Sequence, residues 1–197
     1  MKKILAFALA MVLCLSGLCA FAAAGRGFSF DLDSFKGTYD LLGASLPDLA
    51  LTWNDTPDTS NGYDMYVAQI GGGDAYLSAH DAGGLLAFEI DQFCMKDDFL
   101  NDLFGFSQDL TMKVVLTGYC VYFCENNDLP EDVMNGAADE MKDLFTVLSD
   151  YAISDKNEET LEKAGTLCGY PVNFTIHGMA DGSCWMSVVM LDKTGSF

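Results

Sequence analysis

An α+β fold with a mostly antiparallel sheet is predicted by three observations. First, strand-like segments cluster in two places, 63–90 and 168–191, where apolar and polar residues alternate between glycine-rich turns. Second, helical spacing occurs in separate blocks at about 33–43, 97–106 and 130–149. The order is therefore strands, helix, long strand, helix, strands, and not an alternation of one helix per strand. Third, the run 110–124, Leu-Thr-Met-Lys-Val-Val-Leu-Thr-Gly-Tyr-Cys-Val-Tyr-Phe-Cys, is rich in β-branched and aromatic residues. It reads as a long central strand, or two strands meeting at Gly118, with the helices packed on the sheet.

Each element has its own signal. Phe35, Tyr39 and Leu42 share one helical face, with Asp33 or Ser34 as N-cap and Gly43 as stop. Leu49, Leu51 and Trp53 alternate as a strand. Residues 54–62 are turn formers throughout. A meander follows: strands at 63–70, 75–79 and 85–90, with turns at Gly71-Gly-Gly-Asp and His80-Asp-Ala-Gly-Gly. Phe99, Leu100, Leu103 and Phe104 mark the apolar side of a helix over 97–106. Pro130 opens the next helix. Val133, Ala137, Met141, Leu144 and Leu148 form its buried stripe, opposite Asp132, Asp139, Glu140 and Asp143. Residues 154–164 read as a short polar helix. A hairpin over 168–191 turns at Gly178–Gly182. Gly-Tyr recurs at 62–63, 118–119 and 169–170, a faint sign of duplication.

The first 24 residues have the form of a secretory signal peptide. Lys2 and Lys3 precede an apolar stretch from Ile4 to Leu18, and A-x-A patterns place cleavage after Ala22 or Ala24. The expected mature chain is a single domain, 25–197, located outside the cytoplasm. No later segment reaches membrane-spanning length. All 29 acidic residues follow residue 30, so loss of Lys2 and Lys3 takes the formal charge from −19 to −21. Such a chain repels phosphate backbones, which excludes nucleic acid as a partner.

The expected mature chain keeps Cys94, Cys120, Cys124, Cys168 and Cys184. On one strand, Cys120 and Cys124 lie about 13 Å apart, too far to bond each other. At most two bridges are expected, from that strand to the elements carrying Cys94, Cys168 and Cys184. The alternative is five buried thiols.

The segment from Met141 onward runs through a helix and Leu-Ser-Asp-Tyr-Ala-Ile-Ser to Cys-Gly-Tyr-Pro-Val-Asn-Phe-Thr-Ile and a hairpin. It resembles the end of PsbP-like domains. The resemblance implies an α/β/α sandwich with an antiparallel sheet and a role in binding or assembly. It carries over no functional residues.

Chemistry is sparsely signalled. There is no G-x-S-x-G, H-E-x-x-H, G-x-G-x-x-G or Walker A lysine, and nothing specifies a cofactor. His80 and His177 are the only histidines; the first reads as a turn residue and the second as a strand end. A cysteine nucleophile at Cys184 with His177 and Asp181 is the sharpest catalytic candidate. Asp55, Asp58 and Asp64 form an oxygen-rich loop of the kind that holds Ca²⁺, without an EF-hand pattern. Tyr63, Tyr66 and Tyr76 are candidates for a sheet face that stacks on a protein or carbohydrate ligand. The expectation is a secreted, non-catalytic binding or assembly module. Its rival is an extracellular hydrolase based on carboxylates or a cysteine.

Overall fold

The structure, a computed structural model, describes residues 27–59, 63–154 and 156–195. The leader, its cleavage positions Ala22 and Ala24, and Gly62 lie outside the described residues. Seven strands form one sheet: β1 (Leu51–Trp53), β2 (Asp64–Ile70), β3 (Ala75–Asp81), β4 (Leu85–Met95), β5 (Thr160–Leu167), β6 (Tyr170–Gly178) and β7 (Ser183–Leu191). Their order is β1-β2-β3-β4-β7-β6-β5, and every pairing is antiparallel. The α+β class holds. The sheet is two meanders joined along β4 and β7, in register from Ala87↔Leu191 to Met95↔Ser183.

The helices are α1 (Leu32–Gly43), α2 (Lys96–Asn101), α3 (Leu103–Asn126), α4 (Glu131–Leu144) and α5 (Thr146–Ile153). Asp31 caps α1, its carboxylate accepting from the Ser34 amide at 2.8 Å. That contact with Ser34 also lowers the Asp31 pKa. The helix stripes and the sheet's apolar stripes meet in one core. Phe35 of α1 stacks on Phe88 of β4 with ring centroids 4.2 Å apart, and Leu110, Val114 and Val121 of α3 are buried in the same cluster.

The central element is where the sequence reading fails. Residues 110–124 are not a strand; they lie within helix α3. The run is rich in residues that favour strands when half-buried, but here it is enclosed. The core lies on one side, and α1 and α4 pack against its others. A helix buried around most of its circumference shows no polar face, so its 3.6-residue period disappears from the sequence. Length carried the signal, because fifteen residues exceed an ordinary strand. Gly118 is no break. It lies where α3 crosses the β5–β6 turn, and a Cβ there would sit 3.0 Å from Leu167 Cδ2 and 3.3 Å from Cys168 Sγ.

Other boundaries shift for local reasons. The expected 97–106 helix divides at Asp102, which leaves helical geometry and caps α3 through the Gly105 amide. The 130–149 helix divides at Phe145 into α4 and α5. The short helix expected over 154–164 gives way to strand β5, which begins at Thr160. Cys168 and Gly169 both take positive φ, 54° and 79°, and make the two-residue turn from β5 to β6. Gly118-Tyr119 is helical and Gly169-Tyr170 is a hairpin turn, so two of the three Gly-Tyr pairs are unlike in structure.

Candidate functional site on the helix-free sheet face

Strand alternation divides the sheet side chains cleanly. Leu77, Ala79, Phe88, Ile90, Phe174, Ile176, Met186 and Val188 face the helices. Ser78 and His80 of β3, Glu89 and Asp91 of β4, and Ser187 of β7 face the other way. No described helix packs on that second face. All five side chains are less than 5% exposed. Polar groups this deep must be partnered, or the fold bears their desolvation cost.

The local chain geometry sets these positions. Asp81 accepts from the Gly83 and Gly84 amides, both at 2.8 Å, and Gly83 takes φ +85°. This Asx-type turn lets β3 run through His80, whose register partner is Ala87. The register shifts between His80 and Asp81, so Leu86 is an extra residue and Leu85 returns to the core. His80 is therefore a buried strand residue and not the turn histidine expected from the sequence.

Glu89 is the hub. Its Oε2 lies 3.1 Å from His80 Nε2, and its Oε1 accepts from Ser187 Oγ at 2.7 Å. Asp91 sits two residues along the same strand, on the same face, opposite Ser187 and Tyr76. Burial pushes the Asp91 carboxyl well above its ordinary range, and the neighbouring Glu89 charge adds to this. Contacts with Ser187 and Trp185 pull weakly the other way. Three atoms of the cluster have no hydrogen-bond partner: Ser78 Oγ, His80 Nδ1 and Asp91 Oδ1. The site combines two carboxyl groups, an imidazole and two hydroxyls, with Trp185 and Tyr76 beside them on the same face. This is an array of donors and acceptors in which the Ser187 hydroxyl and the His80 imidazole both meet Glu89.

The sequence candidates fall elsewhere. Cys184 faces the helical core, whereas His177, the register partner of Trp185, faces the other side. His177 Nδ1 lies 2.6 Å from Thr160 Oγ1. Asp181 Oδ1 accepts from the Ser183 amide and hydroxyl within its own turn. The structure does not bring the three together. Tyr66 lies on the helix side, its ring 5.9 Å from Lys36 Nζ. Tyr63 packs near His80 with ring centroids 5.8 Å apart, and Tyr76 faces outward opposite Asp91. Asp58 makes a backbone bridge with Met65, and Asp64 opens β2 opposite Asp81. Asp55 is exposed in the preceding loop. Among the described residues, no group of three His, Cys, Asp or Glu side chains could hold a metal ion.

All five cysteines among the described residues are thiols, so neither of the bridges expected to run from Cys120 and Cys124 forms. Both residues lie on helix α3 and not on a strand, one turn apart and about 6 Å along its axis instead of 13 Å. Cys124 Sγ turns to Thr38 Oγ1 at 3.3 Å. Burial raises the Cys120 thiol, and it pushes Cys168 up to about 12.

A groove of about 560 Å³ lies between the start of α3 and helices α4 and α5. Leu103, Phe104, Met141 and Phe145 line it, and Lys142 is its one ionisable wall residue. It offers no acid–base pair. Among the described residues, no helix is long and apolar enough to cross a membrane.

The polar cluster had a signal in the sequence. Ser78-x-His80 and Glu89-x-Asp91 place polar residues two apart on strands that are otherwise apolar. Comparison of the chain with family models, curated proteins and solved structures gave no match.

Proposed function

We propose that the chain acts after export as a non-catalytic binding module, and that it holds a neutral, hydroxyl-rich ligand of the carbohydrate class on the helix-free face of its sheet. The carrying observation is the set of unpartnered polar atoms, Ser78 Oγ, His80 Nδ1 and Asp91 Oδ1, beside the Glu89–Ser187 pair. Each unmet group costs about 1–3 kcal/mol, and because all three atoms are buried a ligand hydroxyl recovers that cost only when the face opens to admit it. A protonated Asp91 both donates and accepts, which suits a hydroxyl better than an ammonium group. Tyr76, half-buried on this face, supplies aromatic surface for the apolar side of a sugar ring. The described helices all occupy the opposite face of the sheet. The strongly acidic composition and the likeness of the C-terminal third to PsbP-like binding and assembly factors point the same way.

The test is binding of the exported protein to a glycan panel, followed by calorimetry on any hit. Asp91→Asn and Ser78→Ala should each weaken binding by about tenfold, the worth of one good hydrogen bond, with circular dichroism unchanged. Failure to bind any glycan, or binding indifferent to both substitutions, rejects the reading. One observation favours a second reading, a carboxylate-based extracellular hydrolase. Burial and the Glu89 charge raise the Asp91 carboxyl, the direction of shift that a general acid uses. Turnover of chromogenic glycosides that disappears in Asp91→Asn would select it.

A further inference from the structure

We propose that Cys94 and Cys184 are the site of one intramolecular disulfide, made by exchange with an external disulfide-bearing oxidant, which staples β4 to β7. The two residues are direct register partners across the seam between the two meanders. Their Sγ atoms are 3.1 Å apart. Directly opposed strand residues have Cα atoms about 4.5–5.5 Å apart, inside the range a disulfide spans, so the backbone need not move. The other three thiols are engaged elsewhere: Cys124 with Thr38 and Ser34, Cys120 within the core, and Cys168 in the β5–β6 turn.

The surroundings assign the roles. Cys94 is partly exposed and Cys184 is fully buried. Hydrogen bonding from Cys94 lowers the Cys184 pKa, and the Lys96 ammonium adds to this. Lys96 is fixed in place by the Ser154 and Lys156 carbonyls at 2.8 and 2.9 Å, and it lies 4.4 Å over the Tyr151 ring. Exposure makes Cys94 the entry point, although its contact with Cys184 and its burial raise its own thiol. Its sulfur gives up a proton and attacks one sulfur of the oxidant, R–S–S–R, releasing the first R–S⁻. The Cys184 thiolate then attacks the Cys94 sulfur and expels the second R–S⁻. Two electrons pass from the cysteine pair to the oxidant. Two protons leave the pair, and the products are one cystine and two R–SH. An extracytoplasmic setting supplies such oxidants.

The test uses the full exported chain, purified without reductant, then incubated folded with excess oxidised glutathione. Intact mass after removal of free glutathione should fall by about 2 Da relative to the reduced protein. Peptide mapping should recover a single cross-link joining the Cys94 and Cys184 peptides. Cys94→Ser, at the partly exposed position, should abolish both signals, and Cys168→Ser should leave them intact. The oxidised wild type should unfold at a higher urea midpoint than the reduced form, and this gap should vanish in Cys94→Ser. A fully reduced mass after glutathione treatment overturns the proposal. So does a cross-link through Cys120, Cys124 or Cys168, or a midpoint gap that survives Cys94→Ser.

Discussion

Asp91→Asn tests whether the helix-free face carries a buried acid. In the folded chain, burial and the Glu89 charge raise the Asp91 pKa well above its ordinary value. In the unfolded chain it titrates near 3.9. Between those two values the native state holds one more proton than the unfolded state. Stability therefore falls as pH rises, by about 1.4 kcal/mol per pH unit. The contribution is fully present below the unfolded value and is lost as pH climbs through the folded one. Asparagine keeps the shape and cannot ionise. The stability of Asp91→Asn minus that of wild type should grow from about pH 4 at up to 1.4 kcal/mol per unit, then level off once pH passes the folded value. Self-repulsion among the remaining carboxylates lowers both proteins alike and cancels in the difference. The assay is urea unfolding followed by tryptophan fluorescence, from pH 4 to 8 at constant ionic strength. A difference that stays flat across that range, within about 0.3 kcal/mol, would refute the buried, proton-holding acid.

His80→Ala removes the partner of Glu89 and should cost about 3 kcal/mol by chemical denaturation. Adding Glu89→Leu should restore part of that loss, and strictly additive effects would show that the two groups are not coupled. Gly178→Ala should destabilise by about 3 kcal/mol, because its Cβ would lie 2.0 Å from the Asn157 carbonyl oxygen and 2.6 Å from the Tyr151 hydroxyl. A backbone oxygen cannot swing aside, so an unaltered urea midpoint would contradict the close approach. The melting temperature in chelator and in millimolar Ca²⁺ should agree within about 1 °C, and a Ca²⁺-dependent rise would return the 54–62 loop to consideration as a site.

What was legible in the sequence followed from contrast between two faces. The helix near 33–43 buries one face and wets the other, and the strands of 63–90 and 168–191 turn apolar residues to the helices and more polar ones to the second face, even though β3, β4 and β7 are buried on both. α3 could not be read that way, because Leu110, Val114, Thr117, Cys120 and Val121 are buried and much of the rest of its circumference is covered too. β5 was missed for the opposite reason. As an edge strand with an exposed face, Glu162, Lys163 and Ala164 look like a polar helix. At the site, the period-two polar residues were visible, but the register that gathers them was not. Ser187 reaches Glu89 across 98 residues of chain, and nothing local specifies that pairing.

The seam between β4 and β7 has a consequence for how the chain folds. β4 can pair with β3 as soon as the first meander forms, but its other edge stays open until about ninety residues further on have delivered β7. During that interval an eleven-residue strand offers unpaired backbone groups to any neighbouring chain, the usual route to edge-to-edge aggregation. Slow, non-local closure of this kind lengthens the interval. Glu89 and Asp91 stand at the middle of that strand. While it is open to water both are ionised, and two adjacent negative charges on one face discourage a second copy from docking there. The carboxylates that strain the finished sheet are thus gatekeepers of the unfinished one, which gives the chain a reason to keep them on β4 quite apart from any ligand.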